Sequence, residues 1–187
     1  MFYHASPAAG IHVLKPRISN HGVPRVYFST RRENTLVYLA DPVEQFCRER
    51  GIVPAGAMEK WASYGFDCAG LLVLEEYYPD YIRETYEGVP GYIYRAERVP
   101  GAEPMTSIPC GFATDRETPV NGAEFIPDAY QALLEAEAAG WIHFRKYGDL
   151  SERTLAWIRN TVQAQYARTE TKPEYQAFLR EKFPYLK

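Results

Sequence analysis

The most constraining feature of this chain is the way turn-forming residues break up its first two-thirds. Short runs of β-branched and aromatic residues alternate with clusters of Pro, Gly, Asn and Asp until about residue 126. Helix signals become dense only after that point. Strands first and helices later is the signature of an α+β architecture.

Residues 2–5 and 25–29 (Arg-Val-Tyr-Phe-Ser) read as strands, with a loop over 15–24 marked by Pro16, Asn20, Gly22 and Pro24. Thr30 stands three residues before Glu33, a capping-box spacing that predicts a helix from there to about Leu39. Asp41, Pro42 and Glu44 supply an N-cap, a proline at the first helical position and an early acid, predicting a helix to about Arg50 that stops at Gly51. Residues 52–69 have no clear period. Further strands are expected over 70–77, 91–99, 123–126 and 141–147, with a helical turn over 79–86. Pro100, Gly101, Pro104, Pro109 and Pro119 leave room only for short strands over 100–121. A helix begins at Pro127 and Asp128 and runs to about Gly140. Asp149 and Glu152 open another, whose Leu155, Ile158, Val162 and Tyr166 share one face, and Thr171, Pro173 and Glu174 open the last. Both apolar stripes read as core packing. A chain of 187 residues forms one domain, with 1–147 as its core and 148–187 as C-terminal helices packed on it.

Charge and cysteine content narrow the function classes. With 21 basic and 24 acidic residues the net charge is -3, which argues against a general nucleic-acid surface. Cys47, Cys68 and Cys110 lie far apart with no zinc-type spacing, so no metal site is expected and idle or buried thiols suit a reducing compartment. No basic-then-apolar leader is present, and apolar runs such as 71–74 are too short to span a bilayer, so no membrane partner is expected and the cytoplasm is the default location. No P-loop, GxGxxG, GxSxG or HExxH pattern occurs. A nucleotide, if bound, is held by another arrangement.

Three segments stand out together: Tyr3-His4-Ala5-Ser6, then Val26-Tyr27-Phe28-Ser29-Thr30 with Tyr38 eleven residues beyond Tyr27 and Thr35 three before Tyr38, and finally Glu124 followed by Phe125-Ile126. This set resembles the ADP-ribosyltransferase fold family, in particular the His-Tyr-Glu branch that includes the poly(ADP-ribose) polymerases. The likeness is best over 2–40, about a fifth of the chain, and continues only through Glu124. Ala5 stands where the family has glycine, Ser29 where it has a small alanine, and Thr30 where it has an acid.

The resemblance implies an ADP-ribosyltransferase-like split mixed β-sheet with flanking helices and a helical C-terminus. It implies NAD as substrate, with loss of nicotinamide and transfer of ADP-ribose to a protein, nucleic acid or small molecule, or to water. His4 would bond the adenosine ribose. The backbone of Ala5, next to Ser6, would hold the carboxamide with help from Thr35. Tyr27 and Tyr38 would sandwich the nicotinamide ring, and Glu124 would hold the ribose hydroxyl and act as the catalytic acid residue. Aromatic faces suit a cationic pyridinium, and a carboxylate stabilises the oxocarbenium charge that appears mainly in the transition state. Two other readings stay open: a non-catalytic nucleotide-binding or interaction module of the same fold, and an RNA 2′-phosphotransferase relative using Arg17, Arg25, Arg31 and Arg32. His21 and Arg17 are weaker candidates for the adenine and a phosphate. His143, Trp61 and Tyr64 are explained by packing or exposure.

Overall fold

The computed structural model describes residues 1–18, 22–54 and 58–186. Among them the first strands are β1 (Phe2–Ser6), β2 (Val13–Leu14), β3 (Arg17–Ile18) and β4 (Pro24–Ser29), followed by a 3₁₀ segment, Glu33–Tyr38, and helix α1 (Pro42–Glu49). Next come β5 (Tyr64–Phe66), β6 (Leu72–Glu75), α2 (Tyr81–Tyr86), β7 (Gly91–Ala96), β8 (Glu103–Pro104) and β9 (Gly111–Thr114). The chain ends with β10 (Thr118–Pro119), β11 (Gly122–Ile126), α3 (Ala129–Ala138), β12 (Ile142–Arg145), α4 (Glu152–Arg168) and α5 (Pro173–Lys182). The protein is α+β. Its largest sheet has seven strands in the order β11-β7-β1-β4-β9-β8, with β3 also on β4. Each of these pairings is antiparallel. Two small sheets have the orders β10-β2 and β12-β6-β5.

The chain divides into two compact units, each made of separate segments. The first holds Met1–Leu39, Phe66–Val73 and Tyr86–His143; the second holds Ala40–Gly65, Leu74–Thr85 and Phe144–Lys187. Helices α1 and α2 thus group with the C-terminal helices.

The first unit is built on the seven-stranded sheet. Alternation puts Val26 and Phe28 of β4 and Tyr94 and Ala96 of β7 on one face, where they form a core with Leu14. Phe2 and Phe112 pack on that core, edge to face at 5.2 Å. The Tyr94 hydroxyl reaches out of the core, donating to the Ala8 carbonyl at 2.7 Å and accepting from the Ile11 amide at 3.2 Å, which fixes the segment after β1. Residues on the other face include Ile93, Ala5 and Ala113, all buried. Leu36 and Val37 of the 3₁₀ segment and Leu133 of α3 are also buried. Each such side chain stabilises the fold by roughly 1.5–3 kcal/mol. Asp128 caps α3, accepting from Tyr130 and Gln131 amides at 2.8 and 3.2 Å.

The expected capping box at Thr30 does not form. The Thr30 amide bonds the Cys110 carbonyl at 2.9 Å, the helix begins only after Arg32, and it is 3₁₀ with no side-chain cap. The short strands expected over 100–121 are β8, β9 and β10, and the turn before β9 is tight. Cys110 has φ 62°, a left-handed value.

In the second unit, Asp41 caps α1 as expected, accepting from the Val43 and Glu44 amides at 3.0 Å each. The helix stops before Gly51, at φ 63°. Phe46 of α1 meets Phe178 of α5 edge to face at 5.8 Å, and Phe178 also lies 6.0 Å from Trp61. Ile158 and Val162 of α4 are buried, as their spacing predicts, whereas Leu155 and Tyr166 are half-buried. Ser151, not Asp149, supplies the α4 cap.

Candidate functional site

All seven singled-out residues lie in the first unit, and strand register decides which of them meet. Glu124 on β11 stands opposite Ile93 on β7, and Ile93 stands opposite Ala5 on β1. Tyr3 on β1 stands opposite Ser29 on β4, a register that, continued by two residues, brings Ala5 opposite Tyr27. Glu124, Ile93, Ala5 and Tyr27 therefore form one cross-strand row, and side chains of one row share a face. With strands about 4.8 Å apart, Glu124 and Ala5 are separated by roughly 10 Å of backbone.

The most specific contact on that face is an ion pair. Arg32, just before the 3₁₀ segment, grips Glu124 with both arms of its guanidinium: Nε donates to Oε2 at 2.8 Å and Nη2 to Oε1 at 2.5 Å. Its remaining nitrogen, Nη1, lies 3.5 Å from Glu33. The Arg32 side chain is 28 % exposed and that of Glu124 42 %. The hydrogen bonds from Arg32 hold the Glu124 carboxyl below its ordinary range, against the opposing effect of partial burial, with the charges of Arg32 and Arg95 adding to the shift. The same bonds raise Arg32. Glu124 is thus an ionised carboxylate at neutral pH, already neutralised by a fork-to-fork partner. The 92-residue separation explains why the spacing of the sequence gave no sign of this pair.

His4 takes a different position. One residue out of phase with Ala5, it stands opposite Tyr94 and faces the core side of the sheet. Its ring lies 5.9 Å from Phe28, and its Nδ1 is 2.8 Å from the Tyr27 carbonyl. A carbonyl only accepts, so Nδ1 carries the proton. Burial holds the His4 pKa below its usual value; the bond to Tyr27 works against this, and the charge of Arg17 adds to it. The imidazole is thereby kept neutral. His4 and Glu124 are not brought together.

Thr35 is buried, and its hydroxyl donates back to the Arg32 carbonyl at 2.6 Å, steadying the turn that carries Arg32. Tyr38, at the end of the 3₁₀ segment, is 47 % exposed. The Ser6 hydroxyl accepts from the Ala8 amide at 3.2 Å. Beside Thr35, the Asn34 side chain is buried with neither its oxygen nor its nitrogen bonded. Of the other arginines, Arg25 pairs with Glu103 at 3.0 Å, Arg31 donates to the Gly70 carbonyl at 3.4 Å, and Arg17 is exposed. His143 is exposed, Trp61 buried and Tyr64 half-buried; His21 lies outside the described residues. Cys47, Cys68 and Cys110 are free thiols.

Comparison with known protein families, with curated proteins and with solved structures finds no match to this chain. Among the described residues no cluster of three or more His, Cys, Asp or Glu side chains is arranged to hold a metal ion. No helix among them is long and apolar enough to cross a membrane.

Proposed function

We propose that this chain is an NAD-dependent mono-ADP-ribosyltransferase or NAD glycohydrolase that works on the Glu124 face of its seven-stranded sheet. The observation that carries the reading is the shared row of Glu124, Ala5 and Tyr27. It sets an ionised carboxylate, a strand backbone and a phenol on one face of the sheet, with the buried Ile93 and Ala5 between the carboxylate and the phenol. In the reaction the bond between the nicotinamide nitrogen and the ribose carbon breaks, and its electron pair leaves with the neutral nicotinamide. The ribose carbon becomes oxocarbenium-like and is taken by an acceptor nucleophile or by water. Glu124 stabilises that positive charge and holds the neighbouring hydroxyl. Tyr27 and Tyr38 offer ring faces to the pyridinium, and Ala5 offers backbone groups to its carboxamide. His4 serves in this scheme by tying β1 to β4 beneath the row.

A second reading is favoured by one specific observation: Arg32 already neutralises Glu124, which suits a module that binds a nucleotide without cleaving it. One experiment separates the two. Purified protein is incubated with NAD and nicotinamide release is followed by chromatography, alongside Glu124→Gln. Turnover by the native chain and a loss of about 100- to 1000-fold in the folded variant support the enzyme. Binding of NAD by calorimetry without release of nicotinamide supports the module. Neither binding nor turnover rejects both.

A further inference from the structure

We infer that Arg32 is a displaceable latch on Glu124, and that a diphosphate group is the key: the anion takes the guanidinium and frees the carboxylate. The inference rests on the reading of Glu124 as the working acid residue. Three features lead to it. First, the pair uses the whole fork of Arg32, with Nε and Nη2 on Glu124 and Nη1 near Glu33. A catalytic carboxylate held this way has no free charge to offer a developing cation. Second, both side chains reach solvent, so an incoming anion has access and the pair has no deep burial to protect it. Third, a second guanidinium also acts on Glu124. Arg95 stands opposite Gly122, two residues from Glu124 on the same strand and face, and its Nη2 would lie 3.0 Å from a Cβ at Gly122. The absent side chain at Gly122 leaves Arg95 room to lie there.

A diphosphate brings at least two negative charges and several acceptor oxygens, where Glu124 brings one charge and two. Two guanidiniums flanking one carboxylate match the diphosphate better than they match Glu124. Exchange also couples binding to activation, because the carboxylate becomes available only when the anion is in place. The charged groups facing Glu124 in this exchange are Arg32, Arg95 and, through Arg32, Glu33.

The test uses inorganic pyrophosphate with the full chain, in EDTA and at constant ionic strength. Binding is measured by calorimetry for the native protein, Arg32→Ala and Glu124→Gln. The Glu124 side-chain carboxyl is followed by carbon NMR and assigned by its loss in Glu124→Gln. The latch predicts opposite signs. Arg32→Ala weakens pyrophosphate by about tenfold or more, and Glu124→Gln tightens it by removing the competitor. Saturating pyrophosphate moves the Glu124 titration up towards the ordinary carboxylate range in the native protein and leaves it unmoved in Arg32→Ala. Circular dichroism checks folding, and Arg32→Lys, which keeps the charge but loses the fork, replaces the alanine variant if that one does not fold. Equal or weaker binding by Glu124→Gln, or a Glu124 resonance that ignores bound pyrophosphate, overturns the latch. Nicotinamide release is scored separately. Turnover without the titration shift ends the latch but not the enzyme, and the shift without turnover ends the enzyme but not the latch.

Discussion

His4 and Glu124 sit on strands with only β7 between them, yet they leave opposite faces of the sheet. His4 shares a row with Tyr94, and Glu124 shares one with Ile93, the next residue along. A one-residue step in a strand reverses the side-chain direction. The sheet itself therefore separates any ligand on the Glu124 face from the imidazole. The histidine acts on the face only through Tyr27, whose carbonyl it holds.

Replacing His4 should thus read out first as lost stability. His4→Ala leaves the Tyr27 carbonyl without its imidazole donor and opens space beside Phe28. Loss of one such hydrogen bond costs about 0.5–1.5 kcal/mol. The expected result is an unfolding free energy in urea lower by that amount, with the KM for NAD unchanged in protein that remains folded. A raised KM at unchanged stability would instead put the ring in the ligand site.

Asp41 gives the fold a pH dependence of definite sign. Burial raises its pKa from 3.8 to about 6, although the Glu44 and Val43 amides and the charge of Lys60 pull the other way. Between those values the folded chain holds a proton that the unfolded chain has lost, so stability falls as pH rises from about 4 to 6 and stays lower above it. A shift of that size corresponds to roughly 3 kcal/mol. Asp41→Asn keeps an oxygen for the two capped amides and removes the charge. Its urea stability should lose this slope and be no lower at pH 7 than that of the native chain. His4 works in the opposite sense. Its lowered pKa contributes stability above the ordinary histidine value that is lost as pH falls through and below it. The two single variants separate the contributions.

What the sequence makes legible here is what short-range chemistry decides. Asp41-Pro42 and Asp128 mark real helix starts because an N-cap depends only on the next three residues. The strands at β1, β4, β7 and β11 follow from composition and alternation. Thr30 misleads because its amide is claimed by Cys110, eighty positions later, a partner no local pattern reveals. The pairing of β9 is hidden for the same reason. The strand lies in a stretch rich in proline and glycine and is held in the sheet by β4 on one side and β8 on the other. In the site, residue types are readable but faces are not. Whether His4 joins Glu124 turns on strand register, and Arg32 becomes distinguishable from Arg17, Arg25 and Arg31 only when β11 is laid beside β7.

The turn into β9 is a second place where backbone geometry sets the outcome. A Cβ on Gly111 would meet the Ile108 side chain at 2.7 Å and its carbonyl oxygen at 2.9 Å, and backbone cannot swing aside. Gly111→Ala should destabilise the chain by about 1–3 kcal/mol. Cys110, next to it, holds φ 62° without being glycine. Cys110→Gly relieves a strain of about 1–2 kcal/mol while giving the unfolded chain more freedom. Its thermal midpoint should therefore equal or exceed that of the native protein, opposite in sign to Gly111→Ala.

The second unit is anchored on Phe178, which is fully buried and touches the rings of Phe46, Trp61 and Tyr175. Phe178→Ala removes the ring that joins α1 to α5, at a cost of about 3–5 kcal/mol. Trp61 fluorescence should report the change directly, because its own ring loses a neighbour at 6.0 Å. An unchanged emission spectrum would mean that α5 does not seat against α1 in solution.

Tyr38 offers the sharpest test of ring recognition on the Glu124 face. It is the more exposed of the two tyrosines, and it ends the 3₁₀ segment whose start carries Arg32. Stacking of a pyridinium on a phenol is worth about 0.5–2 kcal/mol, or roughly 2- to 30-fold in affinity. Tyr38→Ala should raise the KM for NAD within that range without lowering kcat, because the attraction to the pyridinium charge is full in the ground state and fades as nicotinamide leaves neutral. Tyr38→Phe keeps the face and should keep the KM. At Tyr27 the alanine change also removes a strand residue from the middle of the sheet, so a loss there mixes folding with binding. An unaltered KM in folded Tyr38→Ala would place the nicotinamide ring elsewhere on the sheet.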